Sequence, residues 1–273
     1  MVPTVRLNNG VEIPQFGFGV WQVGPDEVVD AVGQALEVGY RHIDTAAMYG
    51  NEEGVGHAID KSGIARDELF VTTKLNNDAH GYDNALVAFD ESLDRLGLEQ
   101  VDLYLIHWPL PSQDAYVETW KAFEKLYADG RARSIGVSNF QRPHLDRLLA
   151  ETDVVPAVNQ VEIHPTFTQE PLRAAHRELG IVTEAWSPLG RATDLDDPAV
   201  KSVAADVGRT PAQAVLRWHL QKGNVVFPKS VTPARIEENF GVFDFELSDE
   251  QLEAIGALDR GNRIGPDPDT MGG

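Results

Sequence analysis

The sequence of 273 residues predicts an α/β fold, a single (β/α)8 barrel of the TIM type with an N-terminal β-hairpin and an extra C-terminal helix. Short β-branched runs alternate with helical segments, which predicts a parallel sheet. The runs are nearly continuous in apolar residues, as in a sheet covered on both faces. Their number is eight, which favours closure into a barrel over an open sheet. No low-complexity linker divides the chain, so we expect one domain over residues 1–273.

The predicted strands follow a short hairpin in the opening segment TVRLNNGVEIP, where Asn9-Gly10 supplies the positive-φ turn. In chain order they cover residues 16–20, 40–44, 69–73, 101–107, 132–137, 157–163, 180–186 and 224–228. Each run is short, rich in β-branched residues and bounded by polar or turn-forming residues, as strands are.

The predicted helices lie between these strands and cover residues 27–38, 84–96, 115–128, 143–150, 170–179, 211–221 and 233–243. Thr210-Pro211 and Thr232-Pro233 each place a capping residue before a first-turn proline. A last helix begins at Ser248, in a Ser-x-x-Gln capping box, and runs to Leu258. The tail after it is rich in Gly, Pro and Asp, and we expect it to be irregular.

Composition excludes several classes of protein. Asp and Glu number 43 against 23 Lys and Arg, a net charge of −20 that disfavours binding to nucleic acid or to an anionic membrane surface. Cysteine is absent, so disulfides and thiolate metal sites are excluded, which fits a reducing compartment. The sequence shows no signal segment and no apolar run approaching about 20 residues. We therefore expect a cytoplasmic protein.

Four polar residues, Asp44, Tyr49, Lys74 and His107, are the strongest candidates for chemistry. Three of them end the apolar runs YRHID, LFVTTK and VDLYLIH, and the carboxyl ends of parallel strands converge on one face. A lysine beside a tyrosine would lower the tyrosine pKa from about 10. Asp44 would hold Lys74, and His107 would direct a carbonyl oxygen. The set suits carbonyl reduction with Tyr49 as the proton donor.

This chemistry requires a hydride source, because the four side chains supply only protons. No G-x-G-x-x-G is present, so a Rossmann nicotinamide site is disfavoured. The segment after the eighth strand offers Lys229, Ser230 and Arg235 at a helix start, which could hold an adenosine 2′-phosphate. We therefore expect NADPH as the cofactor, with weaker use of NADH.

The same residues lie in motifs that resemble those of the aldo-keto reductases. GYRHIDTAAMYGNEEGVGHAI, LDRLGLEQVDLYLIHWPL and FPKSVTPARIEENFGVFDFEL resemble the three signatures of that family. IGVSNF, NQVEIHP and AWSPLG also match family patterns in order. The overall pattern is similar to the prokaryotic branch that includes 2,5-diketo-gluconate reductases. The resemblance implies the same tetrad roles and a monomer.

The resemblance also implies cofactor contacts at positions that match the family. These are Ser138, Asn139 and Gln160 to the nicotinamide carboxamide, Trp186 stacking on its ring, Ser187, Leu189 and Arg191 along the pyrophosphate and ribose, Lys229, Ser230, Val231, Thr232 and Arg235 around the 2′-phosphate, and Glu238 and Asn239 to adenine. Thr232 stands where the family often has arginine, which could soften the preference for NADPH over NADH.

Substrate selection is less determined by the sequence. Trp21, Met48 and Trp108 adjoin strand ends and either line the pocket mouth or serve packing. Asn76 stands where some relatives have tryptophan, which indicates a more open or more polar pocket. The segment 261–273 contains no aromatic residue, so small aldehydes, dicarbonyls and keto-sugars fit better than steroids.

Two alternatives stay open at this point. His42 and Asp44 at i and i+2, with Lys74, His107 and His164, could form a metal-dependent barrel hydrolase, although no H-x-H or H-E-x-x-H occurs. A barrel that binds NADPH without catalysis is the second. Taken singly, each tetrad residue also has a structural explanation, such as Asp44 capping the next turn or His107 lying in the core.

Overall fold

A computed structural model describes residues 2–272 and contains the predicted hairpin and barrel. In the hairpin, β1 (Thr4–Arg6) pairs antiparallel with β2 (Glu12–Pro14), with Val5 opposite Ile13. Gly10 has φ 89°, a positive angle that glycine adopts without strain. The Asn-Gly turn predicted from the sequence is therefore confirmed.

Eight parallel strands form the barrel, in the order in which they occur in the chain. They are β3 (Phe18–Gly19), β4 (His42–Asp44), β5 (Phe70–Leu75), β6 (Val101–Ile106), β7 (Ala132–Ser138), β8 (Val158–Glu162), β9 (Val182–Trp186) and β10 (Val225–Val226). A parallel bridge between Phe16 and Val226 joins the first strand to the last, and Gly17 N donates to Val226 O at 2.8 Å. All eight predicted strands are confirmed, most of them with narrower bounds.

The helices cover the outside of this barrel. They are α1 (Pro25–Val38), α2 (Glu52–Ser62), α3 (Tyr82–Leu96), α4 (Tyr116–Ala128), α5 (Arg142–Glu151), α6 (Glu170–Leu179), α7 (Pro198–Asp206), α8 (Pro211–Gln221), α9 (Pro233–Phe240) and α10 (Asp249–Gly256). Sequence reasoning missed α2 and α7. Two glycines lower the helix propensity of α2, whereas α7 has a clear start signal, because the Asp197 side chain caps it before Pro198.

Two of the three expected helix caps are confirmed. Thr210 and Ser248 each accept a hydrogen bond from a backbone N–H three residues on, in full capping boxes. Thr232 does not cap α9 through its side chain, so that expectation was wrong. Instead Ser230 Oγ accepts from Thr232 N at 3.1 Å, which shapes the turn that leads into the helix. The helix α9 also ends at Phe240, three residues earlier than predicted.

The hairpin closes one end of the barrel. Leu7 and Ile13 are buried and join Phe70, Leu103 and Val225 in one apolar cluster. A larger cluster fills the space between the strands and the helices. The amino-terminal end of the barrel is therefore plugged, and the carboxyl ends of the strands face the open side. Within residues 2–272, no helix is both long enough and apolar enough to cross a bilayer.

We expect the packing of α2 on the end of α3 to depend on Gly56. A Cβ added there would lie 2.2 Å from the backbone oxygen of Leu96. Gly56→Ala should lower the free energy of unfolding by about 1–3 kcal/mol, because backbone cannot move aside cheaply. The control is Gly33→Ala in α1, where nothing lies within 4 Å of the new Cβ. It should raise that free energy by about 0.4–1 kcal/mol. Urea unfolding measures both, and equal shifts would contradict the steric explanation.

Candidate active site

The four predicted side chains Asp44, Tyr49, Lys74 and His107 meet at the open end of the barrel. Lys74 is fully buried on β5, and its Nζ donates to Asp44 Oδ1 at 2.7 Å and to Tyr49 Oη at 3.3 Å. The ring of His107, just after β6, lies edge-on to Tyr49 with centroids 5.7 Å apart. The structure therefore brings together the whole tetrad that the sequence predicted.

A short turn holds Tyr49 in this position. The 3-10 turn Ala47–Tyr49 ends at Gly50, which has φ 66°. Asn51 is buried and donates from Nδ2 to the backbone oxygens of Val20 and Val23, while it accepts from Thr45 Oγ1. Lys74 Nζ makes a third hydrogen bond, to Thr45 O at 2.9 Å. The loop after β4 is thus fixed on both sides of the phenol.

Burial controls the protonation of Tyr49 and Lys74. It raises the pKa of Tyr49, and this effect outweighs the lowering by the Lys74 ammonium. The predicted lowering of the Tyr49 pKa by Lys74 is present, but burial outweighs it, so the net shift is upward. For Lys74, burial lowers the pKa, but Asp44 and Tyr49 together raise it by more, so the ammonium is retained.

His107 is neutral in this environment. Burial, with the Lys74 charge adding to it, holds the His107 pKa well below its usual value. Its Nδ1 is buried and has no partner among the residues that the structure describes. A proton on Nδ1 would have no acceptor, so Nε2–H is the favoured tautomer. His107 can therefore donate a hydrogen bond without carrying charge.

A buried polar layer lies beside the tetrad. Ser138 Oγ donates to Gln160 O, and Asn139 Nδ2 donates to His107 O and to Ser138 Oγ. Gln160 Nε2 donates to Asp44 Oδ2 and to Glu184 Oε2, both at 2.8 Å. Sequence reasoning missed Glu184. The signal was a charged residue within the apolar run GIVTEAW, on the same strand face as Trp186.

Trp186 and the loop after β9 form one wall of the site. Trp186 Nε1 donates to Asn139 Oδ1 at 2.8 Å, which fixes the indole orientation. Ser187 has φ 50° and Arg191 has φ 52°, so the backbone here is constrained. The Arg191 guanidinium lies 5.3 Å from the centre of the Trp21 ring, and Leu189 packs against the core. The loop thus extends across the barrel mouth.

A buried histidine ties this loop to the C-terminal tail. His164 lies between Asp194 Oδ2 at 2.9 Å and Glu162 Oε1 at 3.1 Å. The Glu162 carboxylate also accepts from the backbone N–H groups of Ile264 and Gly265. Burial lowers the His164 pKa, but the bonds with Asp194 and Glu162 outweigh it and raise the pKa. The tail is irregular, as predicted, but it is held in place.

The segment that leads into α9 carries the predicted anion site. Lys229 and Arg235 are exposed, and no carboxylate of residues 2–272 lies within ion-pair distance of either. Ser230 is buried between them, while Val231 and Thr232 are exposed. The geometry fits an anionic group at a helix start. On the same helix, Glu238 accepts from Thr210 Oγ1 at 2.8 Å and Asn239 is buried.

The three predicted substrate residues differ in exposure. Trp21 is 41% exposed and Met48 44%, whereas Trp108 is 7% exposed. Trp21 and Met48 are therefore free to meet a ligand, and Trp108 is largely enclosed. The Asn76 side chain accepts from Asn77 N at 2.9 Å and caps the turn Asn77–Ala79. Asn76 is thus a local cap, a role that its position after a strand end could have suggested.

The metal-site alternative counted His42 among its ligands. His42 Nε2 lies 3.0 Å from Thr72 Oγ1 and Nδ1 lies 3.3 Å from Pro14 O, so both ring nitrogens are occupied. Burial lowers the pKa of His42 to about 4. Among the residues that the structure describes, no three His, Asp or Glu side chains are placed to hold a metal ion.

Comparisons with known proteins agree with this geometry. The model of the aldo/keto reductase family matches residues 15–260. The chain is 56% identical to an aldo-keto reductase of Mycobacterium sp. (strain KMS) over 98% of each chain. It is 51% identical to the methylglyoxal reductase DkgA of Escherichia coli (strain K12), over 99% of each.

Solved structures give the same result. The crystal structure of a Gox0644 mutant in complex with NADPH has a TM-score of 0.96 and 48% identity, covering 99% of this chain and 98% of that chain. That structure holds NADPH, in a protein whose fold matches this chain along almost its whole length. The family match over most of the chain and the relatives near half identity lead to one conclusion: this chain belongs to the aldo/keto reductase family.

Proposed function

We propose that this protein reduces small aldehydes and dicarbonyls to alcohols with NADPH, and that Tyr49 donates the proton. One observation carries the proposal: a fully buried lysine, Lys74, bonds both a carboxylate, Asp44, and the phenol of Tyr49. A buried ammonium is costly unless it is paired. An ammonium placed in this way stabilises the phenolate that proton donation leaves behind.

The side chains divide the work of carbonyl reduction. NADPH, when bound, supplies the hydride. His107 donates Nε2–H to the carbonyl oxygen and sets its direction. Tyr49 then delivers a proton to that oxygen, and Lys74 stabilises the resulting tyrosinate. The raised Tyr49 pKa does not prevent this step, because an alkoxide is a stronger base than a phenolate.

The cofactor residues follow from the same proposal. Lys229, Ser230 and Arg235 hold the 2′-phosphate, since two exposed cations flank a buried hydroxyl in a chain of net charge −20. Gln160 uses both N–H groups inside the protein, which leaves its amide oxygen for the nicotinamide carboxamide. Both Asn139 N–H groups are also bonded within the protein, so only its Oδ1, which accepts from Trp186 Nε1 with one lone pair, has a second lone pair for the carboxamide. Trp186, Ser187, Leu189, Arg191, Val231, Thr232, Glu238 and Asn239 complete the proposed cofactor contacts.

The proposed substrates are small and polar, with methylglyoxal as the first to test. The Escherichia coli relative is a methylglyoxal reductase by name. Trp21 and Met48 are both exposed, and the tail 261–273 carries no aromatic side chain that could cover a large apolar substrate. Keto-sugars are the second class, from the branch that the sequence resembles. A monomeric state and a cytoplasmic location stay predictions, as does the single domain.

Tyr49→Phe should separate binding from chemistry. It removes the proton donor and little volume, so the rate of methylglyoxal reduction should fall by about 10²–10⁴-fold. NADPH binding, measured by tryptophan fluorescence, should persist.

The matched control is Tyr104→Phe, which removes a buried hydroxyl with no partner in the described part of the chain. It should leave turnover unchanged. Retention of most activity in Tyr49→Phe would refute the assigned role.

Arg235→Ala should weaken NADPH more than NADH. The loss of a charge-assisted contact of about 1.5–3 kcal/mol should raise the Kd for NADPH by roughly 10–150-fold. The Kd for NADH should change little, because NADH has no 2′-phosphate and does not make this contact. Fluorescence titrations with each cofactor measure the two changes. Arg131→Ala is the control, because it removes the same charge before β7, at the opposite end of the barrel, where Arg131 pairs with Asp90. Equal weakening of both cofactors in Arg235→Ala would exclude reading of the 2′-phosphate.

A further inference from the structure

Strand β9 carries a carboxyl group that the reaction proposed above leaves without a role. The Glu184 side chain is fully buried. Its Oε2 accepts from Gln160 Nε2 at 2.8 Å, and its Oε1 has no partner within residues 2–272. Lys74, the cation that faces it, is bonded to Asp44 instead. Glu184 is therefore a buried acid with no ion-pair partner in the described part of the chain, and the Gln160 amide alone separates it from Asp44.

Gln160 connects this acid to the tetrad. The same Nε2 that reaches Glu184 also donates to Asp44 Oδ2 at 2.8 Å. An amide nitrogen carries two N–H groups, so both are used. The orientation of the amide is settled by Asp44, because the amide oxygen in that place would face a carboxylate oxygen that cannot donate. Glu184 therefore helps to fix how Gln160 holds Asp44.

The charges around Glu184 do not balance if it is ionised. Asp44 on β4 and Lys74 on β5 are the charged groups that face it, and the flanking strands β8 and β10 place Gln160 and Val225 beside it. One ammonium offsets one carboxylate, so a second buried carboxylate would lack compensation. Burial, with the Asp44 charge adding to it, raises the pKa of Glu184 from 4.5 to about 8.

We propose that Glu184 is a positioning residue that works as the neutral acid: it orients Gln160 and Asp44, and it leaves Lys74 paired with a single carboxylate. The proposal deepens the function given above and rests on it for the roles of Tyr49 and Lys74. When Glu184 loses its proton, the added negative charge makes Lys74 and Tyr49 hold their protons more tightly. Tyr49 then becomes a weaker acid, and carbonyl reduction slows as pH rises.

The first experiment measures thermal unfolding of the full chain without cofactor. The folded protein keeps the Glu184 proton up to about pH 8, and the unfolded chain releases it near 4.5. Glu184 therefore lowers stability progressively as pH rises through this window. The melting temperature of Glu184→Gln should match that of the wild type near pH 5 and exceed it at about pH 8.5.

Glu52→Gln is the matched control for that experiment. Glu52 is equally buried, but it accepts from Arg95 and Thr73. Its substitution should lower the melting temperature at both pH values, because those partners lose an ionic acceptor. A Glu184→Gln difference that does not change with pH overturns the neutral-acid assignment. The unfolding experiment does not depend on enzymatic turnover, so it tests the neutral-acid assignment of Glu184 even if the protein reduces none of the carbonyls tested.

The second experiment measures the pH profile of kcat/KM for methylglyoxal with NADPH. The wild type should lose activity with an apparent pKa about 8, and Glu184→Gln should move this loss to higher pH. Glu184→Met, which keeps the volume but offers Gln160 only the weak acceptor of a thioether, should lower kcat on the order of tenfold near neutral pH. Glu184→Gln should recover most of that loss. If kcat/KM of Glu184→Gln falls at the same alkaline pH as that of the wild type, the positioning role is overturned. Equal kcat values in the Met and Gln variants would also overturn it.

Discussion

The burial of the Lys74 ammonium is the constraint on which the rest of the site depends. An unpaired charge inside a barrel is costly, and this one is satisfied by Asp44, by Thr45 O and by Tyr49 Oη. Each partner imposes a condition on the chain. β4 must end at Asp44, and the turn Ala47–Tyr49 must bring the phenol back over the barrel. The tetrad geometry thus compensates the buried charge of Lys74 and also places the groups that the proposed chemistry requires.

The site is open at only one end of the barrel. The hairpin residues Leu7 and Ile13 seal the amino-terminal end, so the polar interior opens only at the carboxyl ends of the strands. There, His164 bonds both Glu162, which holds the tail, and Asp194, which holds the loop after β9. The two irregular segments beside the site therefore share one buried anchor. To move, the loop would have to break its bond with His164, and the tail would have to break its bonds with Glu162.

Sequence patterns predicted most of this architecture, and the failures have physical causes. Strand ends carry a clear signal, so the pattern of apolar runs was sufficient to place Asp44, Lys74 and His107 at one end of the barrel. α2 was missed because two glycines hide its helical pattern, and packing on α3 overrides that weak propensity. Glu184 and the pairing of His164 were missed because their roles depend on how deeply they are buried in the folded chain, which a sequence pattern does not show. The net shift of the Tyr49 pKa depends on the balance of burial against Lys74, which no motif reveals.

Desolvation lowers the pKa of His107 and raises the pKa values of Tyr49 and Glu184, so it favours the neutral form of all three side chains. It removes the charge from His107, keeps the proton on Tyr49 and keeps the proton on Glu184. Lys74 stays charged and paired with Asp44, because Asp44 and Tyr49 together more than offset the effect of its burial. The interior then holds a single compensated ion pair, with neutral hydrogen-bond donors turned towards the open end. In the reaction that we propose, a carbonyl oxygen that gains negative charge there meets donors already in place, so little reorganisation is needed as the charge develops.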